Sequence, residues 1–163
     1  MFPVSLKIMY SDVMATVSDG VHNDVTLKNE HDVANDVMRY LEENYVKKEN
    51  NVKLEEIQIL LLSYTNPPQL PRGLSCSKWI IKCESHTPYV VNLLNAVPLN
   101  CDLLHIEVDN VGLGEVADME QVITAKDLTL RTSGSEDGIS SEQIAKFQAR
   151  RLNLNGKVER IFE

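Results

Sequence analysis

Long apolar runs are the first thing this sequence lacks. The longest, residues 59–62, is four residues, far short of the roughly 20 that a membrane-crossing helix needs. The first ten residues hold one Lys and an apolar stretch interrupted by Pro3, Ser5 and Lys7, so no signal peptide is expected there. Cysteine is scarce. Cys76, Cys83 and Cys101, an odd count in 163 residues, argue against a disulfide framework and point to a reducing, cytoplasmic or nuclear setting. Basic residues are outnumbered, 16 Lys+Arg against 24 Asp+Glu for a net charge of −8, and such a surface repels phosphates and suits no general nucleic-acid coat. Aromatics are 6% of the chain, too few for an RNA-stacking sheet, and Trp79 is assigned to the core. No low-complexity tract and no internal repeat is read.

What is present is a globular composition, 43% hydrophobic and 25% charged, enough for one core without disulfide or metal staples. Val4, Leu6, Ile8 and Tyr10 alternate as in a half-buried strand. The phase then shifts to Val13, Ala15 and Val17, which implies a bend at Ser11-Asp12. Asp19-Gly20 marks a turn, and Val25-Thr26-Leu27 a returning strand. Asn29 stands as the N-cap of a helix over 30–46, whose stripe is Val33, Val37, Leu41 and Tyr45. Residues 57–62 read as a central strand buried on both faces.

Trp79, Ile81 and Cys83 alternate against Lys78 and Lys82 as a one-sided strand. Residues 84–88 then turn, and Tyr89-Val90-Val91 returns as a strand. Leu104, Ile106 and Val108 form another one-sided strand. Residues 122–130 fit a strand pair or a strand with a short turn. Ser140 and Gln143 make a capping box, with Ile139 and Ile144 as its staple, opening a helix over 141–152. Asn155-Gly156 is a hairpin-type turn before a last short strand at Val158 and Ile161. The fold expected from these elements is α+β: a mostly antiparallel sheet, one helix packed on it, and a C-terminal helix. The expected division is a core domain at 1–131, a linker at 132–138 that holds nothing apolar, and a helix with a tail at 139–163.

Catalytic signals are weak. Gly112-Leu113-Gly114 lacks the third Gly and the Lys-Ser/Thr of phosphate loops, and Asp109-Asn110-Val111-Gly112 fails the calcium-loop template. A cysteine nucleophile served by His86 or His105 would need an activated thiolate; Cys76 has Arg72 and Lys78 nearby in sequence, but nothing signals a nucleophile elbow. The sequence is therefore read as non-enzymatic, with no required cofactor. Zinc is the one metal its spacing admits: Cys83-x-x-His86, then fourteen residues, then Cys101-x-x-x-His105. These are four ligands of the right softness, although cysteines and histidines interleave where structural sites usually group them.

Two features suit protein partners. Pro68-x-x-Pro71 followed by Arg72 has the spacing of pre-extended proline segments that dock in aromatic grooves. The C-terminal segment carries Lys146, Phe147, Arg150 and Arg151. Residues 132–163 hold five basic and five acidic residues, whereas residues 1–131 hold 11 and 19. A basic tail on an acidic body fits docking onto that body or onto an acidic partner. It is also the only segment where a nucleic-acid contact is expected. Tyr10-Ser11-Asp12-Val13, followed by Ala15 and Val17, resembles a stretch of the small rhabdovirus matrix proteins, as do size and mixed α+β content. The acidic pI and the lack of a basic N-terminal arm depart from that family, and the match covers under a tenth of the chain. The resemblance implies a self-assembling structural protein. The function expected is a non-catalytic protein–protein interaction module or self-assembling subunit, acting with other proteins or with itself.

Overall fold

Alternating apolar residues produce nine strands in the computed structural model, which describes residues 2–29, 32–47, 52–62, 69–84, 87–109, 112–134, 138–155 and 157–161. They are β1 (Phe2–Tyr10), β2 (Met14–Ser18), β3 (Val25–Lys28), β4 (Val52–Leu61), β5 (Lys78–Cys83), β6 (Leu103–Val108), β7 (Asp127–Thr132), β8 (Arg151–Leu154) and β9 (Lys157–Ile161). Between them lie α1 (Val33–Leu41), which continues as a π-helical turn (Glu42–Val46), α2 (Thr87–Leu94), α3 (Gly114–Ala117), α4 (Glu120–Ile123) and α5 (Ser141–Lys146).

All nine strands join one sheet in the order β3-β2-β1-β4-β5-β6-β7-β8-β9. From β1 through β4 to β8 every pairing is parallel, and only β1–β2, β2–β3 and β8–β9 are antiparallel. The expectation of a mostly antiparallel sheet carrying one helix is thus overturned. The reason is physical: one-sided alternation records that one face is covered, and it is the same whichever way the neighbouring strand runs.

The register aligns equivalent residues. Ile57, Trp79, Leu104, Leu128 and Leu152 stand side by side, at steps of 22, 25, 24 and 24 residues. Each step is one strand and one return segment, which is the organisation of a repeat stacked along a single axis. The repeat was not read in the sequence because its return segments, though similar in length, differ in residue type.

Core packing follows from this alignment. A row of Val17, Ile8, Ile59, Ile81, Ile106, Leu130 and Leu154 crosses seven strands, and all of its members are buried. Val33, Val37 and Leu41 of α1, Val90, Leu93 and Leu94 of α2, Val116 of α3 and Val122 of α4 belong to the same core. The helices therefore cover one face of the sheet. Strand β4 is central, as expected, but not buried on both sides: Ile57, Ile59 and Leu61 are buried, while Gln58 and Leu60 are half-buried.

Several local expectations change. The N-cap of α1 is Asp32, whose carboxylate accepts from Asn35 N at 3.1 Å. Asn29 instead braces the cap, accepting from Asp32 N at 3.1 Å and donating to Asp36 at 2.9 Å. The expected strand at 89–91 lies within helix α2, and residues 122–130 form the end of α4 and most of β7. The capping box of Ser140 and Gln143 is present, but α5 stops at Lys146, and residues 151–154 are strand β8. Hydrogen bonding by β7 outcompetes a longer helix, and Phe147, Ala149, Leu152 and Leu154 enter the common core. Gln143 secures α5, donating to Gly114 O at 2.7 Å and Asp118 Oδ1 at 2.9 Å. Beside it Gly114 is held so close to the chain that a Cβ would lie 2.8 Å from Gly138 O.

Adjacent residues of β5 test the one-sided core. Ile81 is fully buried and Ile80 faces the other way. Urea unfolding of Ile81→Ala should show a loss of about 2–5 kcal/mol, against less than about 1 kcal/mol for Ile80→Ala. Equal losses would mean that both faces are covered.

Candidate functional site

The sheet face opposite the helices carries the other half of each strand. On β1 it presents Lys7 and Met9, on β4 Gln58 and Leu60, and on β5 Ile80 and Lys82. The register aligns Lys7 with Gln58 and Ile80, and Met9 with Leu60 and Lys82. These six residues form a three-by-two grid. Its lysines occupy one diagonal and its outer apolar residues the other. They line a depression of about 390 Å³, bordered by Thr16, Ser18 and Asp24. Met9 is 44% exposed, Leu60 and Ile80 are half-buried, and both lysines are exposed.

Two carboxylates of this face, Glu56 and Glu107, are already engaged. Glu56 accepts from Ser5 Oγ at 2.8 Å and from Gln58 Nε2. The Gln58 bond, against the opposing effect of burial and with help from Ser5, Lys78 and Lys7, holds its carboxyl below the usual range. Glu107 lies 2.7 Å from His105 Nε2 and 3.7 Å from Arg131. Burial pushes the Glu107 carboxyl up, but His105, Lys82 and Arg131 together bring it below normal. Among the described residues neither Lys7 nor Lys82 has an ion pair within 4.0 Å.

A second cluster sits at the end of β2. The carboxylate of Asp19 is buried and accepts four hydrogen bonds: Val21 N (2.9 Å), His22 N (2.8 Å), His22 Nδ1 (2.8 Å) and Tyr45 Oη (2.7 Å). An ionised carboxylate can only accept, so His22 carries its proton on Nδ1. Burial alone would raise the Asp19 carboxyl, but the bonds from His22, Tyr45 and the two backbone N–H groups outweigh it and hold the group far below the carboxylate range. Burial and then the bond to Asp19 push the Tyr45 hydroxyl well above normal. The adjoining hollow of about 510 Å³ is lined by Val21, His22, Asn23, Val25, Tyr40, Asn44 and Tyr45. That lining offers no Ser, Cys, Lys or carboxylate to act as a nucleophile, and the cluster ties the loop after β2 to the π-helical turn.

The residues singled out in the sequence are dispersed. Cys83 is buried at the C-terminal end of β5, and Cys101 is buried before the N-terminal end of the parallel neighbour β6. They therefore sit at opposite ends of the sheet. His105 lies on the open face, bound to Glu107, and His86 is outside the described residues. Among the described residues no three Cys, His, Asp or Glu side chains group as metal ligands. Burial, then Asp102, pushes the Cys101 thiol up to about 11, and burial raises Cys76 as well, so both stay protonated at neutral pH.

Pro68 also lies outside the described residues. Pro71 is buried and Arg72 exposed, which leaves Pro71 no free surface for a partner's groove. Phe147 is a core residue. Lys146, Arg150 and Arg151 are exposed, with Arg151 lying 3.9 Å from Asp127. The residues of the open-face grid were missed. The legible signal was Ile80, an apolar residue in the polar phase of a strand bounded by Lys78 and Lys82.

Comparison with protein-family models, curated proteins and solved structures finds no match to this chain. Among the described residues no helix is long and apolar enough to cross a membrane.

Two measurements follow. Because the Asp19 carboxyl is depressed in the folded state, its stabilisation is complete above the unfolded value near 4 and is lost as pH falls toward the folded one. Asp19→Ala should cost roughly 3 kcal/mol at pH 7 and lose less further stability than wild type between pH 4 and 2, read from urea midpoints. Parallel acid limbs would remove Asp19 from that role. With Cys76, Cys83 and Cys101 all buried, a thiol reagent at pH 8 should modify the native protein at least about tenfold more slowly than the urea-unfolded chain.

Proposed function

We propose that this chain is a non-catalytic interaction module that binds a protein partner on the open face of its sheet. The observation that carries this reading is the apolar centre of that face: Met9, Leu60 and Ile80 stand in a depression on the side away from the core. Apolar surface left in water costs about 25 cal/mol per Å², and a patch ringed by polar groups marks an interaction surface. Stacked repeats characteristically use such continuous faces to bind. Three cysteines outside any disulfide suit work in the cytoplasm or nucleus.

A photo-crosslinking residue placed at Met9 should give discrete adducts in cells of origin, and one placed at exposed Asn95, beyond the end of α2, should give none. Ile80→Asp should abolish the Met9 adducts while the far-ultraviolet spectrum stays unchanged. An adduct at twice the 18.4 kDa mass would identify the partner as a second copy. Equal adducts from both positions, or none from Met9, would sink the proposal.

A further inference from the structure

Accepting the open face as a docking surface, we propose that its occupant is an extended acidic–apolar segment of a partner protein. Its pattern is a carboxylate, an apolar residue and a carboxylate at alternate positions. The carboxylates meet Lys7 and Lys82, and the apolar side chain enters between Met9, Leu60 and Ile80.

Charge is the first support. The chain carries −8, yet the two lysines of the grid are exposed and without an ion pair among the described residues. The neighbouring carboxylates hydrogen-bond elsewhere, Glu56 with Ser5 and Gln58 and Glu107 with His105, and act on Lys7 and Lys82 through space, without a direct ion pair. Asp24 borders the same depression, and among the described residues no ion pair joins it to either lysine. An incoming carboxylate therefore finds two cations with no direct ion pair to break among the described residues.

Geometry is the second support. Lys7 and Lys82 are two strands apart and two residues apart in register. Strand spacing near 4.8 Å and a rise near 3.3 Å per residue put their backbones roughly 12 Å apart. In an extended segment, side chains at i and i+4 share a face and lie about 13 Å apart, with i+2 midway. A carboxylate–apolar–carboxylate segment laid along the lysine diagonal thus places its middle side chain between Gln58 and Leu60, with Met9 and Ile80 on either side. A polyanion fits poorly, because the acidic remainder of the molecule repels a long run of phosphates while the apolar floor would be left unfilled.

The test is selection from a display library of random 12-residue peptides on the intact chain, followed by titration of the recovered peptides by fluorescence anisotropy. Enrichment of Asp or Glu at i and i+4 about Leu, Ile, Met or Phe is expected. Lys7→Glu with Lys82→Glu should weaken binding about tenfold or more at low salt, Lys7→Gln with Lys82→Gln by less, and about 0.5 M salt should shrink both effects. Ile80→Asp should abolish binding, and Ile80→Thr, which keeps the strand preference, should weaken it; thermal melts verify that each variant is folded. Neutral or basic peptides that ignore both lysine pairs but need Ile80 would overturn the acidic occupant and leave the face as the docking surface. Peptides indifferent to Ile80, or no enrichment at all, would overturn both.

Discussion

Everything in this molecule depends on the alignment of apolar rows across parallel strands. Ile8, Ile59, Ile81, Ile106, Leu130 and Leu154 form one row, and Leu6, Ile57, Trp79, Leu104, Leu128 and Leu152 the next. A slip of one residue in any pairing would turn that strand's apolar set to water and its polar set into the core. Trp79 is the largest of these buried side chains, and its indole N–H donates to Cys76 O at 2.9 Å, so its single polar atom is satisfied inside the core. The rows also explain why the antiparallel strands sit only at the margins. Short loops join β2 and β3 to β1, and β9 to β8, whereas each interior strand is reached by a longer return segment.

Covering one face creates the other. Because the return segments pack on the side of the apolar rows, the alternate residues of the same strands form a continuous exposed surface. Most are polar, as alternation requires, and Glu56 and Glu107 bind neighbours on their own face. Met9, Leu60 and Ile80 depart from that pattern, and the departure gives the face its chemical character. The Asp19 cluster serves a different end. It satisfies a buried charge with four donors, the arrangement in which such a charge steadies a loop instead of destabilising it.

Much of the architecture was legible in the residues. Alternation located β1, β2, β5 and β6, and the α1 stripe and the capping box at Ser140 identified two helix starts to within a few residues. The strand at β8 was hidden because Ala149 and Leu152 also fit a helical stripe, and four residues are too few to separate the two periods. Helix α2 was hidden by the β-branched pair Val90-Val91, where packing against the sheet overrides local preference. The candidate site was least legible. Lys7, Leu60 and Lys82 are ordinary residues in sequence, and only the strand order makes them neighbours, while Cys83, Cys101 and His105 share spacing but neither a sheet end nor a face.

The sequence by itself determined which side chains of each strand lie together: Val4, Leu6, Ile8 and Tyr10 on one side, Lys7 and Met9 on the other. That follows from the two-residue period of an extended chain. Only the tertiary structure decided which strands pair, in which direction, and hence which residues of distant segments meet on the open face. Strand pairing is made by backbone groups that every residue carries alike, so it leaves no side-chain signature for the sequence to display.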